Sequence, residues 1–203
     1  MRVGIFGGTF NPPHLGHINM CKLFLDEIAL DRLIVIPASV PPHKQIKSKT
    51  TTEQRFKMAQ LAFSGLSSKI SVSDIEIKRN GKSYTADTLK ELKNLGYTDL
   101  YFLCGTDMIL TLDQWYKPEY IFANATIVYM RRENEAENDH LISQKIFDYK
   151  KRFNAKIINI DAKPIELSSS IVRQAVMENE NINDMVTSEV LDYIIANNLY
   201  RNE

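Results

Sequence analysis

The sequence predicts a doubly wound α/β fold, a parallel sheet covered by helices on both faces, and three observations carry that prediction. Short runs rich in Val, Ile, Leu and Phe recur at residues 3–6, 33–37, 100–104, 126–130 and 157–160, apolar on both faces as strands sandwiched between helices must be. Stretches of helical spacing separate most of them. The first run enters Gly7-Gly8 directly, the pattern of a strand feeding a tight turn before a helix.

After that turn Leu15, Ile18, Leu25 and Ile28 recur at helical spacing, so the helix opens at His14 or Leu15 and runs for about four turns. The second strand, 33–37, stops at Pro37, and Pro41-Pro42 keep the following loop extended. Thr50 or Thr51 caps the next helix, with Glu53 or Gln54 completing a capping box, and Phe56, Ala59 and Phe63 point to the core. Residues 70–72 and 75–77 read as short strands. A helix over 85–95 places Leu89, Leu92 and Leu95 on one face and stops at Gly96. Strand 100–104 ends in Gly105, strand 126–130 follows, 142–153 is helical, and 157–160 is a last strand. The charged stretch 131–139 reads as a solvated loop and helix start. Helices at 171–177 and 186–198 form a small helical C-terminal subregion, about 165–203, within one domain covering 1–203.

The 203 residues are 44% hydrophobic, enough to bury a core without disulfide or metal staples. The 25 Lys and Arg balance the 25 Asp and Glu. With no net charge there is no global field to draw the chain onto nucleic acid or an anionic membrane, so a phosphate-bearing partner must be held by a local cluster of donors. Cys21 and Cys104 sit in apolar stretches without ligand spacing, which makes them buried thiols rather than a disulfide or zinc pair. The N-terminal apolar run is too short for a signal peptide and no 18 apolar residues run together, so the expected location is cytoplasmic. Oligomeric state is left open, a homo-oligomer included.

In open α/β sheets ligands bind beyond the carboxyl ends of the strands, where a glycine turn lets phosphate approach the backbone and the next helix offers N–H groups. Here Gly7-Gly8-Thr9-Phe10-Asn11-Pro12-Pro13-His14-Leu15-Gly16-His17 fills that position. It is neither a GxGxxG fingerprint nor a Walker A loop. A lone histidine there would be a cap or a satisfied core residue. Two histidines three apart share one face of the first turn and, with the helix dipole, make a cradle for polyphosphate, with Gly16 leaving room for a close-approaching group. In phosphoryl and nucleotidyl transfer a protein contributes mainly such positioning and charge stabilisation.

That segment resembles the HxGH motif of the nucleotidyltransferase superfamily, and Ser168-Ser169-Ser170-Ile171-Val172-Arg173 resembles its Ser-Ser-Thr-x-x-Arg motif. With Pro41-Pro42-His43-Lys44, Ser83-Tyr84-Thr85, Gly105-Thr106-Asp107 and Trp115-Tyr116 between them in order, residues 4–173 resemble the bacterial nicotinate-nucleotide adenylyltransferase family, of Rossmann-like fold. The resemblance implies transfer of the adenylyl group of ATP to nicotinate mononucleotide, with Mg2+ escorting the phosphates and no dedicated protein metal ligands. His14, His17, Lys44 and Arg173 would be catalytic. Gly7, Gly8, Thr9, Phe10, Gly105, Asp107, Ser168 and Ser169 would bind ATP, Asp107 also being the candidate contact to the metal. His43, Thr85, Trp115, Tyr116 and Arg132 would serve the acceptor, with Trp115 stacked on the pyridine ring. By residue type alone Lys44 and Arg132 are solvated charges and Trp115 a core or surface aromatic; their roles come from the resemblance.

Two positions depart from the family pattern: Asn11 stands where aspartate is usual, and Ser170 where threonine is usual. Neither removes a histidine, the lysine or the arginine. Competing readings are a phosphopantetheine or nicotinamide mononucleotide adenylyltransferase, and a sensor that binds nucleotide without turnover. His14 and the Trp115-Tyr116 pair speak against the phosphopantetheine enzyme, and cations converging on a leaving group exceed what a sensor needs.

Overall fold

The structure, a computed structural model, describes residues 1–42, 48–130, 139–161, 165 and 167–201. Six strands form one sheet: β1 (Arg2–Gly8), β2 (Arg32–Pro37), β3 (Ile70–Val72), β4 (Asp99–Gly105), β5 (Thr126–Met130) and β6 (Ile157–Ile160), in the order β3-β2-β1-β4-β5-β6. The pairs β1–β4, β4–β5 and β5–β6 are parallel. Order and direction are those of the doubly wound α/β class expected from the apolar runs. The helices are α1 (Leu15–Glu27), α2 (Thr52–Phe63), α3 (Ile75–Arg79), α4 (Thr85–Asn94), α5 (Thr106–Ile109), α6 (Pro118–Asn124), α7 (Asp139–Phe153), α8 (Ser169–Met177) and α9 (Ser188–Ala196). None of the described helices is long and apolar enough to cross a membrane.

The chain divides into two compact units. The first comprises Met1–Phe6, Lys22–Leu33 and Tyr84–Pro164. Its register sets Val3 beside Leu100 and Ile5 beside Phe102, and β4 continues it with Phe102 beside Ile127 and Leu103 beside Val128, all buried. Gly4 is required by packing: a Cβ there would lie 2.4 Å from a Leu30 methyl and 2.9 Å from Phe24. A second apolar cluster joins α6 to α7, with the Phe122 ring 4.8 Å from both Tyr149 and Phe153. Cys104 is wholly buried, and that burial pushes its thiol up to about 12, an inert core group as its setting implied.

The second unit comprises Gly7–Cys21, Ile34–Ser83 and Ile165–Glu203. α2 opens on the expected capping box, with Thr51 Oγ1 accepting from the Gln54 amide and the Gln54 side chain accepting from the Thr51 amide. α2 packs on α9 and buries Met58, Ala59, Ala62 and Phe63.

Several expectations are corrected. Residues 75–77 belong to α3, not to a strand: the Ile-Glu-Ile alternation fits both periods, but Asp74–Lys78 at 3.1 Å and Glu76–Arg79 at 4.0 Å pair at helical spacing. Phe56 is half-buried, while Arg55 and Met58 take the core face of α2. Leu95 caps α4 and is 68% exposed, since the helix ends one residue before it. α8 starts at Ser169, two residues earlier than the apolar spacing suggested, because Ser168 accepts the Ile171 amide as N-cap; Thr187 likewise caps α9 through the Val190 amide. The short helices α5 and α6 and the 3₁₀ turn Leu112–Gln114 were not anticipated.

Candidate functional site

β1 continues through Gly7-Gly8, and the chain turns only at Phe10, whose φ is 48°. Phe10 is buried, its ring edge-on to His17 at 5.0 Å and to Phe63 at 5.4 Å. A Cβ on Gly8 would lie 2.8 Å from that ring, so the glycine makes room for Phe10 beneath the turn. Phe10, assigned to ATP from sequence, thus spends its ring on the core.

His14 precedes α1 and His17 sits in its first turn, with ring centroids 3.7 Å apart. The His14 amide donates to His17 Nδ1 at 3.2 Å. With Nδ1 accepting, Nε2 is the ring nitrogen left to donate, as an anionic oxygen requires. The space expected at Gly16 for an approaching ligand is taken by His14: a Cβ there would stand 3.0 Å from His14 Nδ1. The Leu15 amide, one of the helix N–H groups expected to face phosphate, donates instead to the Met185 carbonyl at 2.8 Å.

The C-terminal motif is hydrogen-bonded to this same loop. Arg173 Nη1 donates to the Asn11 carbonyl at 2.7 Å and Ser169 Oγ to the Pro12 carbonyl at 2.8 Å, while Arg173 Nη2 donates to Ser170 Oγ at 3.2 Å. Imidazoles and guanidinium therefore share one loop as anchor. Ser168 is placed differently from Ser169, its hydroxyl serving the helix as a cap.

Asn11, where a family carboxylate was absent, works through its amide: Nδ2 donates to Ser48 Oγ at 2.6 Å, and Oδ1 accepts from the Tyr200 hydroxyl at 2.8 Å. Tyr200→Phe removes that buried donor and is expected to cost about 1–2 kcal/mol, a fall in Tm of several degrees, read by thermal denaturation. Arg55, which sequence reasoning missed, is 1% exposed and holds the turn from below. Nη1 donates to the Thr9 and Ala38 carbonyls at 2.9 and 2.6 Å, and Nη2 to the Ser39 carbonyl and Thr52 Oγ1 at 2.9 and 3.2 Å. Burial lowers its pKa below the ordinary guanidinium value, with the nearby Tyr200 and Glu53 acting in the opposite direction. Its place on the buried face of α2, in register with Ala59, was the signal available.

In the other unit, β4 ends at Gly105 and α5 carries Asp107. The Tyr116 ring lies tilted against that of Tyr84, with centroids 4.5 Å apart, and Tyr84 immediately precedes Thr85, the first residue of α4. Trp115 is half-buried with its ring edge-on to Phe102 at 6.2 Å. Two residues earlier lies a further group missed from sequence. Asp113 receives Lys145 Nζ at 2.9 and 3.0 Å and lies 3.0 Å from the Tyr149 hydroxyl and 3.6 Å from Arg152. Burial acts to raise its pKa, but hydrogen bonds from Lys145 and Tyr149 and the lysine charge outweigh it and hold the carboxyl below its ordinary value. Sequence candidates His43, Lys44 and Arg132 lie outside the described residues, as does most of the charged stretch at 131–139.

Chemically, imidazole, guanidinium and hydroxyl donors around one loop suit an anion. Among the described residues no three His, Cys, Asp or Glu side chains gather as a cation site would require.

The Cytidylyltransferase-like family matches residues 5–175. The chain is 38% identical over 201 residues to a probable nicotinate-nucleotide adenylyltransferase of Carboxydothermus hydrogenoformans, covering 98% of each. It is 36% identical over 197 residues to one of Clostridium acetobutylicum, covering 97% of each. Among solved structures it matches the Plasmodium falciparum nicotinic acid mononucleotide adenylyltransferase complexed with NaAD, with a TM-score of 0.77 at 24% identity over 100% of this chain and 98% of that one, which bears out the fold. On these matches and its two joined motifs, the chain belongs to the cytidylyltransferase-like family, among its nicotinate-nucleotide adenylyltransferases.

Proposed function

We propose that this protein transfers the adenylyl group of ATP to nicotinate mononucleotide, giving nicotinate adenine dinucleotide and pyrophosphate in NAD biosynthesis. The observation that carries the reading is the pair of hydrogen bonds from Arg173 and Ser169 to the carbonyls of Asn11 and Pro12, which draws the C-terminal motif onto the histidine loop. Near-full-length identity to nicotinate-nucleotide adenylyltransferases supports the choice of acceptor.

An oxygen of the mononucleotide phosphate attacks the α-phosphorus of ATP; the bond from that phosphorus to the bridging oxygen breaks, and pyrophosphate leaves with its electron pair. The nucleophile is already an anion and needs no base, so the protein supplies position and charge. His14, His17 and Arg173 hold the triphosphate and stabilise the departing pyrophosphate, with Ser169 and the helix start it occupies. The backbone of Gly7, Gly8, Thr9 and Phe10, with Gly105 and Asp107, serves the rest of ATP, and Ser168 contributes by capping α8. Mg2+ arrives with ATP as part of the substrate. On the resemblance alone, Lys44 would serve the phosphates, and His43 and Arg132 the acceptor. Trp115 stacks on the pyridine ring while Thr85 and Tyr116 meet its carboxylate. The protein acts as one nucleotidyltransferase domain in the cytoplasm, on small nucleotides rather than nucleic acid or membrane.

A pyrophosphate-release assay with ATP and, separately, nicotinate mononucleotide, nicotinamide mononucleotide and phosphopantetheine tests the reading. Release is expected fastest with nicotinate mononucleotide. Preference for either other acceptor replaces the assignment, and ATP binding without release for any of them makes the protein a sensor.

A further inference from the structure

We propose that Asp113 is a positioning residue for the acceptor: held by α7, it fixes the short segment on which Trp115 is mounted. The proposal rests on the reading of Trp115 as the pyridine-stacking residue.

Trp115 follows a 3₁₀ turn of three residues, Leu112–Gln114. Such a turn has little rigidity of its own, since its only internal bonds are i to i+3, here Gln114 to Thr111 at 2.9 Å and Trp115 to Leu112 at 3.3 Å. Its placement must come from outside. Leu112 is wholly buried beneath it, and the Phe102 ring of β4 meets the indole edge-on. The third anchor is polar. Lys145 reaches both carboxylate oxygens of Asp113, Arg152 stands 3.6 Å from one of them, and the Tyr149 hydroxyl lies 3.0 Å from the carboxylate, 3.4 Å from the Asp113 amide and 2.8 Å from the Ile109 carbonyl. One helix thereby grips both ends of the stretch between Ile109 and Asp113.

An exposed ion pair would add little, but the Asp113 side chain is only 14% exposed and its partners converge from three successive turns of one helix. Aromatic stacking tolerates small errors in ring offset and loses its advantage with larger ones, so a clamp two residues away acts on acceptor affinity without touching the acceptor.

Trp115 is the only tryptophan, which gives the test a spectroscopic readout. Asp113→Asn is expected to raise the KM for nicotinate mononucleotide about fivefold, the share one aromatic stack contributes, with the KM for ATP within about twofold. The near-UV circular dichroism of the indole should weaken. Lys145→Met removes the same clamp from the helix side and should reproduce the split between substrates, so the test survives if the first variant fails to fold. In a Trp115→Ala background Asp113→Asn should add nothing to the acceptor KM. Equal losses for both substrates, an unchanged near-UV signal, or the full fivefold effect in the absence of the indole would each overturn the inference alone. If Trp115→Ala itself leaves the acceptor KM at the wild-type value, the reading of Trp115 falls and takes this inference with it.

Discussion

His17→Ala is expected to lower kcat by about 100-fold or more, the range for losing one preorganised donor at a site of developing charge. The fold should lose far less. His17 Nδ1 is the acceptor for the His14 amide at the start of α1, so the variant also loses a cap-like hydrogen bond worth about 1 kcal/mol, a few degrees in Tm. His17→Asn, whose amide can still donate, should recover part of the rate. Steady-state turnover with saturating ATP and nicotinate mononucleotide reads the effect; kcat within a factor of two of wild type for His17→Ala would remove the residue from the chemistry.

The largest expected loss of stability comes from Arg55→Met. A methionine fills much of the volume but leaves the carbonyls of Thr9, Ala38 and Ser39 without the donor they now share. Buried carbonyls stripped of their partners cost about 1–3 kcal/mol each before relaxation, so a net loss of about 3–5 kcal/mol, on the order of 10 °C in Tm for a chain of this size, is expected. Arg55→Lys, with a single donor group, should fall between. Because the Thr9 carbonyl belongs to the turn, ATP affinity should weaken along with stability in both variants. A melt of Arg55→Met within about two degrees of wild type would show that the guanidinium is dispensable.

The contrast between His17 and Arg55 explains what could be read from the chain in advance. Strands such as 33–37 and 100–104 are legible because burial on both faces leaves an unbroken apolar run. Residues 75–77 mislead because three residues cannot separate a period of two from one of 3.6; the decisive signal was the spacing of Asp74–Lys78 and Glu76–Arg79. The short elements between 106 and 124 are set by packing on their neighbours, and none is long enough to carry a periodicity of its own. The histidines were singled out because two imidazoles follow a glycine turn, and Arg173 because residues 168–173 resemble a family motif. Arg55 and Asp113 were not, since a charge on a helix or loop looks solvated until burial and partners are known. Asn11 lay between these cases: its departure from the family pattern was visible, but its hold on Ser48 and Tyr200 belongs to tertiary structure.

The bonds from Ser169, Arg173 and Tyr200 to the histidine loop span 157, 162 and 189 residues of chain. Contacts of so long a span form late in folding, because the cost of closing the loop must be met before they reward it, so the loop's carbonyls and the Asn11 side chain wait for α8 and the segment beyond α9. The histidine loop and the Arg173 helix are therefore expected to order together, so that a partly folded chain holds the imidazoles without the guanidinium beside them.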